Sequence, residues 1–230
     1  MVTHELRTPL TSIIGFTTTL LAEDVRWEPE EQRDFILTIQ QEADRLNELI
    51  VHLLDLSRLE AGMLPISVEP VPIHNIIEDA LPQFNTLIND QILQVEIPEN
   101  LPPIIADKKR ISQVLVNLVR NAAAYSPKGT EISIIARKRG NFAQVIVADQ
   151  GPGIPSTDHK RVFRAFQRGE KAENGLLQGA GLGLAICKGL VEAHGGHIWI
   201  TKKMTPGASI CFTIPLVSEQ MPSVVQVEEK

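Results

Sequence analysis

A histidine near the start of the chain has neighbours that could support nucleophilic chemistry. The stretch T-H-E-L-R-T-P-L places His4 beside the carboxylate of Glu5 and one helical turn before Thr8. On a helical wheel His4 points away from the apolar stripe, and Pro9 should bend the helix next to it, so we expect an accessible imidazole. These residues alone leave two interpretations open: an ordinary surface histidine, or a nucleophile with its base attached.

A ridge of neutral amides could bind a metal ion and phosphate. Gln113, Asn117 and Asn121 recur every four residues in an otherwise apolar helical stretch, so they share one helix face. Carboxamide oxygens can bind a hard cation and carboxamide N–H groups can donate to phosphate, which suits a magnesium-nucleotide site. A helix face engaged in a hydrogen-bond network is the alternative.

An acidic residue followed by glycines could recognise a base. Asp149 ends a strand-like run and precedes Gly151 and Gly153. A carboxylate can accept a hydrogen bond from an exocyclic amine such as that of adenine, and glycines let a ligand approach the backbone. Many D-x-G-x-G patterns are only turns, so this motif is weak by itself.

A second glycine motif opens a helix. Gly179, Gly181 and Gly183 precede an apolar helical stretch, and the free N–H groups of a helix N-terminus favour phosphate. Two aromatic residues upstream, in F-x-x-F, could anchor a loop that closes over a ligand. Arg168 in that loop could reach a terminal phosphate.

The elements that must position these residues fall into two unlike halves. Residues 3–21 and 30–59 read as an antiparallel helical hairpin, and residues 65–72 read as an extended linker rich in proline. Two helices make a thin core, so we expect a second copy to complete a four-helix bundle, which predicts a homodimer.

The second half alternates helices and strands. The pattern predicts helices over 75–89, 108–124 and 182–194, and strands over 91–97, 131–137, 143–149, 198–202 and 208–215. We expect an α/β sandwich in which helices cover one face of a mixed sheet, with a crevice between the sheet, the helices and the glycine-rich loop.

Composition excludes several classes of protein. A net charge of −6 over 230 residues argues against nonspecific nucleic-acid binding. Cys187 and Cys211 lie in apolar surroundings without metal-like spacing, which indicates buried thiols in a reducing cytoplasm. No run of 18 apolar residues is present, so we expect a cytoplasmic fragment whose only membrane attachment would be a preceding N-terminal region.

The order of the motifs is more specific than any one of them. His-Glu-x-x-Thr-Pro-Leu, N-x-x-x-N, D-x-G-x-G, F-x-x-F and G-x-G-L-G-L follow one another along the chain. In this order they resemble the sensor histidine kinases of two-component signalling. The resemblance implies an α-helical hairpin that forms a four-helix bundle in the dimer, followed by an α/β sandwich ATP-binding domain of the Bergerat (GHKL) type. The implied domains are a dimerisation and phosphotransfer hairpin over 1–64, a linker over 65–72, an ATP-binding domain over 73–217 and a flexible tail over 218–230.

The resemblance also implies roles in the hairpin. His4 matches the phosphoacceptor, Glu5 its base, and Thr8 a polar residue tied to dephosphorylation of the partner. The partner is the receiver domain of a response regulator, which takes the phosphoryl group on an aspartate. Two other readings are a GHKL-type ATPase and a dimeric scaffold that binds nucleotide without transferring phosphate.

In the second domain the resemblance implies ATP and Mg²⁺ as ligands. Asn121 matches the magnesium ligand, Asp149 the adenine reader, and Tyr125 a residue near the adenine ring. Two positions depart from the family pattern. Ala124 stands where many members carry a cationic contact to the phosphates, and Ala180 replaces a common hydroxyl residue between two glycines.

Overall fold

The structure is a computed structural model that describes residues 2–88, 90–167, 181–201 and 207–217. Five helices lie in these ranges: α1 Val2–Leu20, α2 Pro29–Glu60, α3 Ile73–Leu87, α4 Lys108–Tyr125 and α5 Gly183–Ala193. Seven strands accompany them: β1 Glu69–Val71, β2 Ile92–Glu96, β3 Ile104–Ala106, β4 Glu131–Arg139, β5 Phe142–Ala148, β6 Ile198–Ile200 and β7 Ser209–Pro215. Among the described residues, no helix combines the length and the apolar character needed to span a membrane.

An antiparallel hairpin forms the first half. The indole Nε1 of Trp27 donates to the carbonyl of Thr19 at 3.0 Å, which ties the turn to the end of α1. The ring of Phe35 lies edge-on to Trp27 at 5.0 Å and 5.6 Å from the ring of Phe16, so aromatic packing holds the two helices together at this end. The predicted hairpin is therefore confirmed.

Two helices continue through a proline. In α3, Pro82 lies on the exposed face, and so does Glu78, whose carbonyl loses its usual N–H partner. Water can satisfy that carbonyl, which explains why a proline is tolerated there. In α1, Pro9 is buried, and the helix runs on past it, so the expected bend beside His4 does not interrupt the helix.

A five-stranded mixed sheet forms the second half, in the order β2-β4-β5-β7-β6. Strand β2 runs parallel to β4, and the other neighbours are antiparallel. Helix α4 packs against both α3 and α5, and α4 and α5 cover one face of the sheet. The predicted α/β sandwich is confirmed. Its helices and strands differ from the predicted ranges by a few residues at their ends, as expected for frayed termini.

Alternating strand residues build the core beneath these helices. One face of β4, β5 and β7 contributes residues that are almost fully buried against α4: Ile132, Ile134, Ala136, Ala143, Val145, Val147, Ile210, Phe212 and Ile214. The opposite face carries a smaller cluster around Ile146 and Cys211. This period-two burial fixes the register of the sheet, and with it the position of the loop that follows β5.

The predicted linker, residues 65–72, is partly a strand. Within it, β1 pairs antiparallel with β3, and Val71 is buried in the core of the second half. An isolated bridge between Ile104 and Leu216 joins this small sheet to the end of β7. The end of the expected linker therefore belongs to the second unit, and neither β1 nor β3 is among the predicted strands.

Candidate functional site

One cavity of about 1540 Å³ lies between α2, α4 and the loop that follows β5. Residues from three of the motifs of the second half line it: Gln113, Asn117, Asn121, Tyr125, Asp149, Gly153, Gly181 and Gly183. Their meeting in one cavity follows from the fold, because α4, the end of β5 and the start of α5 all border the same crevice. The predicted site residue Gly151 and the two phenylalanines of F-x-x-F are not among the residues that line the cavity. Arg168 and Gly179, which were predicted to act here, lie outside the described residues.

The carboxylate of Asp149 is fixed at the inner end of this cavity. Its Oδ1 accepts hydrogen bonds from the backbone N–H groups of Gly151, at 2.8 Å, and Ala208, at 3.1 Å. These bonds hold Oδ1 in place, and among the described residues Oδ2 accepts no hydrogen bond. Burial raises the pKa of Asp149 above its ordinary value of 3.8, although both N–H groups act in the opposite direction. The arrangement suits a carboxylate that receives a donor from a ligand.

Glycine is required where the loop approaches α4. A Cβ at position 151 would lie 2.6 Å from the backbone oxygen of Tyr125, so any side chain there would collide with the end of the helix. Gly181 has a φ of 68°, and a Cβ on it would lie 2.9 Å from the backbone oxygen of Gln167. Both glycines are therefore fixed by backbone packing, and Gly181 lines the cavity.

Asn117 is the most buried member of the amide ridge. It is 5% exposed, and its side-chain nitrogen Nδ2 has no hydrogen bond of normal geometry among the described residues. The side chain does interact with the buried thiol of Cys187, whose pKa is raised by burial and lowered by this contact, but a thiol sulfur is a weak acceptor. A Cβ added at Gly183 would lie 3.9 Å from the Asn117 carboxamide carbon, so this amide faces the N-terminus of α5. A buried donor without a good partner is costly, so a ligand that accepts its hydrogen bond would relieve that cost.

The three amides of the ridge do not share one role in the structure. Gln113 donates to Asp55 of α2 at 3.1 Å, and Arg110 of α4 donates both to Asp55 and to the Gln113 side chain, also at 3.1 Å. Asp55 is 5% exposed, so this is a buried polar cluster between the hairpin and the second half. Gln113 thus fits the alternative of a networked helix face, whereas Asn117 and Asn121 remain open to a ligand.

The donor set fits a magnesium ion held mainly by a nucleotide. Among the described residues, no group of three or more His, Cys, Asp or Glu side chains could hold a metal. Carboxamide oxygens of Asn117 and Asn121 are hard ligands, and Mg²⁺ is commonly bound by one or two protein oxygens together with substrate phosphates and water. Because Asn117 lies nearest the N-terminus of α5, it is as strong a candidate ligand as Asn121.

His4 is exposed on α1, outside the cavity. The hydroxyl of Thr8 donates to the backbone oxygen of His4 at 3.1 Å, and Glu5 is half-buried. No residue of α1 is among the described residues that line the cavity, which is bordered by α2 between Gln41 and His52. The structure therefore does not bring His4 together with the other predicted site residues.

The two cysteines are not candidates for this chemistry. Both Cys187 and Cys211 are buried, as predicted. Burial raises the pKa of the Cys187 thiol to about 12, so the reactive thiolate is not formed near neutral pH.

Comparison with known proteins gives two family matches in the same order as the two halves. Residues 1–62 match the His Kinase A (phospho-acceptor) domain, and residues 106–218 match the histidine kinase-, DNA gyrase B- and HSP90-like ATPase family. The circadian input-output histidine kinase CikA of Synechococcus elongatus is 37% identical over 224 residues, which cover 92% of this chain and 29% of CikA.

Solved structures agree with this assignment. Full-length ShkA in complex with AMPPNP has a TM-score of 0.69 and 28% identity, covering 93% of this chain and 44% of that one. The histidine kinase ThkA, in complex with the response regulator protein TrrA, has a TM-score of 0.70 and 26% identity, covering 96% of this chain and 61% of that one. The present chain thus spans less than two thirds of each of these three relatives.

The fold and the cavity define a nucleotide-binding α/β sandwich of the class shared by histidine kinases, gyrase B and HSP90. Because a phosphoacceptor hairpin precedes that sandwich, the chain belongs to the sensor histidine kinases of two-component signal transduction and represents their catalytic core.

Proposed function

We propose that the chain is an ATP-dependent autokinase that phosphorylates His4 and passes the phosphoryl group to an aspartate of a response regulator. The observation that carries this proposal is the pairing of an exposed histidine, in a phosphoacceptor hairpin, with a separate cavity whose fixed carboxylate and buried amide suit a nucleotide. The proposed units are the hairpin over 1–64 and the ATP-binding domain over 73–217.

In the proposed complex the adenine amine donates to Asp149, and Tyr125, at the rim of the cavity, flanks the ring. The phosphates extend toward Asn117 and the N-terminus of α5, where backbone N–H groups and the helix dipole favour negative charge. Magnesium, held by the carboxamide oxygens of Asn117 and Asn121, would offset the charge of the transferred group. Arg168 is a further proposed contact to the terminal phosphate.

The proposed chemistry is in-line phosphoryl transfer. A ring nitrogen of neutral His4 attacks the γ-phosphorus, the bond to the leaving oxygen breaks, and ADP departs. Glu5 holds or accepts the proton on the other ring nitrogen, which keeps the reactive tautomer and stabilises the cation that forms. The exposure of His4 supports this role, because a second domain must be able to reach it.

A receiver domain is the proposed acceptor of the phosphoryl group. This rests on the family and on the likeness to ThkA, whose structure contains the response regulator TrrA. Phosphatase activity toward the same partner is proposed through Thr8, whose hydroxyl would orient water on a phospho-aspartate docked over His4. In the free hairpin that hydroxyl bonds the backbone of His4, so it must rotate to act.

The measurement for Thr8 compares two reactions in one variant. Thr8→Ala should retain His4 labelling and phosphotransfer but slow dephosphorylation of the regulator by at least about tenfold, equivalent to about 1.4 kcal/mol. Equal loss of both reactions would instead indicate that the hydroxyl only shapes the helix around Pro9.

The autokinase itself is tested with His4→Gln and a matched control, His74→Gln, which changes another exposed helical histidine in the second unit. After incubation with γ-labelled ATP, the parent and His74→Gln should carry acid-labile, base-stable label, and His4→Gln should carry none while still binding ATP. Release of free phosphate without labelled protein would favour an ATPase instead, and neither signal would favour a nucleotide-binding scaffold.

A further inference from the structure

Arg120 links the cavity to the hairpin. It lies on α4 directly before Asn121, lines the cavity, and forms an ion pair with Glu48 of α2. Glu48 lines the same cavity from the opposite side. The pair therefore spans the gap between the two halves of the chain at the rim of the proposed nucleotide site.

The position of Arg120 is close to where the phosphates would lie. The Asn117 carboxamide faces the N-terminus of α5, which marks the phosphate end of the cavity. Arg120 follows Asn117 by three residues, so the two side chains are neighbours on the helix surface. The long guanidinium-bearing side chain can turn from α2 toward that end of the cavity by changing rotamer alone.

Two other cations that line the cavity are paired on their own side of it. Lys108 is paired with Asp79, and Arg45 is 3.6 Å from Glu42 on its own helix. Ala124, one turn after Arg120 on the same face, contributes no charge. Lys109 also lines the cavity from α4, but it lies beside Gln113, eight residues before Asn117. Arg120 lies three residues from Asn117 and next to Asn121, so among the described residues it is the cavity cation closest in sequence to these two amides.

The pair with Glu48 is weak enough to exchange. The Arg120 and Glu48 side chains are 41% and 44% exposed, and an ion pair of this exposure contributes about 0–1 kcal/mol. An arginine can instead form two parallel hydrogen bonds to a phosphate, and such charge-assisted bonds are about twice as strong as neutral ones. A nucleotide could therefore compete successfully with Glu48 for this guanidinium.

We propose that Arg120 is a shared cation, which pairs with Glu48 while α2 lies against α4 and binds the terminal phosphates of the nucleotide once Glu48 releases it. The proposal rests on the proposed ATP-dependent function. It makes the two contacts mutually exclusive, so nucleotide binding weakens one attachment of the second unit to the hairpin, and the hairpin in turn weakens nucleotide binding.

The proposal is tested by substituting Arg120 and Glu48 separately, because the two substitutions should change nucleotide affinity in opposite directions. In the full chain, Arg120→Gln should weaken AMPPNP binding by about tenfold, since it removes a charge-assisted contact. Glu48→Gln should tighten it by about threefold, because it removes a weak competing pair. Binding of AMP, which lacks the terminal phosphates, should change in neither variant. Calorimetric titration measures all these affinities without relying on His4 labelling.

The double variant separates exchange from simple repulsion. If Glu48 acts by holding Arg120, the double variant should bind AMPPNP like Arg120→Gln alone. If Glu48 merely repels phosphate, its removal would still tighten binding in that background, and the shared-cation proposal would be wrong. Lys128→Gln and Asp90→Asn make the same charge changes in an exposed ion pair that does not line the cavity, and should leave affinity unchanged.

Two outcomes distinguish failure of this proposal from failure of the proposed function. Normal AMPPNP binding by the parent with loss of affinity in both single variants would show that the pair only supports the fold, which overturns the shared cation alone. Absence of any nucleotide binding by the parent would overturn both.

Discussion

At the scale of single residues, Asp149 combines a proposed role in binding the base with a cost in folding stability. Its carboxylate is buried and accepts hydrogen bonds from two backbone N–H groups. Burial raises the pKa of this carboxyl group. The folded state therefore holds the proton more tightly than the unfolded state, and the stability of the nucleotide-free protein falls as pH rises through the folded pKa. A neutral side chain of the same shape should not show this loss.

The first prediction follows from this fall in stability with rising pH. Asp149→Asn keeps an oxygen for the two N–H groups, so the free protein should unfold at equal or higher denaturant concentration than the parent at pH 7. The difference should vanish below about pH 4, where both side chains are neutral. ATP binding should weaken by about 1–3 kcal/mol, since a charge-assisted bond to adenine is lost. Denaturant titration at several pH values and calorimetry provide the measurements.

Two results would contradict this account of Asp149. Lower stability of Asp149→Asn at pH 7 would mean that the carboxylate is needed for the fold, so weakened binding could no longer be assigned to base recognition. Unchanged ATP affinity would show that another group reads the base.

At the scale of elements, the sequence predicts long periodic segments well and short ones poorly. The hairpin, α4 and the strands β4, β5 and β7 follow from their patterns because each extends over several periods. Strands β1 and β3 have three residues each, too few for any alternation to be visible, and β1 contains Pro70. They form only because they pair with each other, and that pairing cannot be read from either segment.

The contacts between the two halves of the chain could not be predicted from the sequence either. Asp55 is a charged residue in an amphipathic helix, a context that normally indicates solvent, yet it is buried against Arg110 and Gln113. Gln113 fits the four-residue spacing of the amide ridge but serves this contact instead. The predicted site residues converge because the fold of one unit fixes them, whereas docking between units depends on pairs that are distant in sequence.

Exposed apolar side chains on the hairpin support the proposed homodimer. Leu10 and Ile14 on α1, and Ile50 and Leu54 on α2, are 45–57% exposed in the single chain. Their helical positions place them away from the contact between α1 and α2 and away from the cavity-facing side of α2. A second copy that covers this face would complete the four-helix bundle.

The second prediction tests that face. Ile14→Asp should convert the dimer to a monomer at micromolar concentration, because it would bury a charge at the centre of the bundle. Ile92→Asp changes a side chain of matched exposure, 58% against 57%, on strand β2 of the second unit, and should leave the dimer intact. Sedimentation velocity distinguishes the two states. A dimeric Ile14→Asp protein would place the interface elsewhere.

At the scale of the whole molecule, the described arrangement does not bring His4 to the cavity of its own chain. The cavity is bordered by α2, and His4 lies on α1, outside the cavity lining. The second unit is held to α2 by the buried Asp55 cluster, and the side chain of Leu59 fills the space beside Gly189 of α5. The proposed transfer needs His4 within bonding distance of the γ-phosphate, so we expect these contacts to open during the catalytic cycle.

The last prediction is that preventing this opening abolishes autophosphorylation but not nucleotide binding. Asp55→Cys combined with Gln113→Cys places two thiols where the parent side chains are 3.1 Å apart, while the native cysteines are buried. Joining the new thiols with a short cleavable reagent should slow His4 labelling by at least about tenfold, or 1.4 kcal/mol, while ATP still binds with at most the few-fold weakening expected from a retained Arg120–Glu48 pair. Cleaving the link should restore labelling, and a one-armed reagent that caps both thiols without joining them should not inhibit. Undiminished labelling in the linked protein would show that His4 is reached without release of α2 from α4, and the docked arrangement would then be compatible with catalysis.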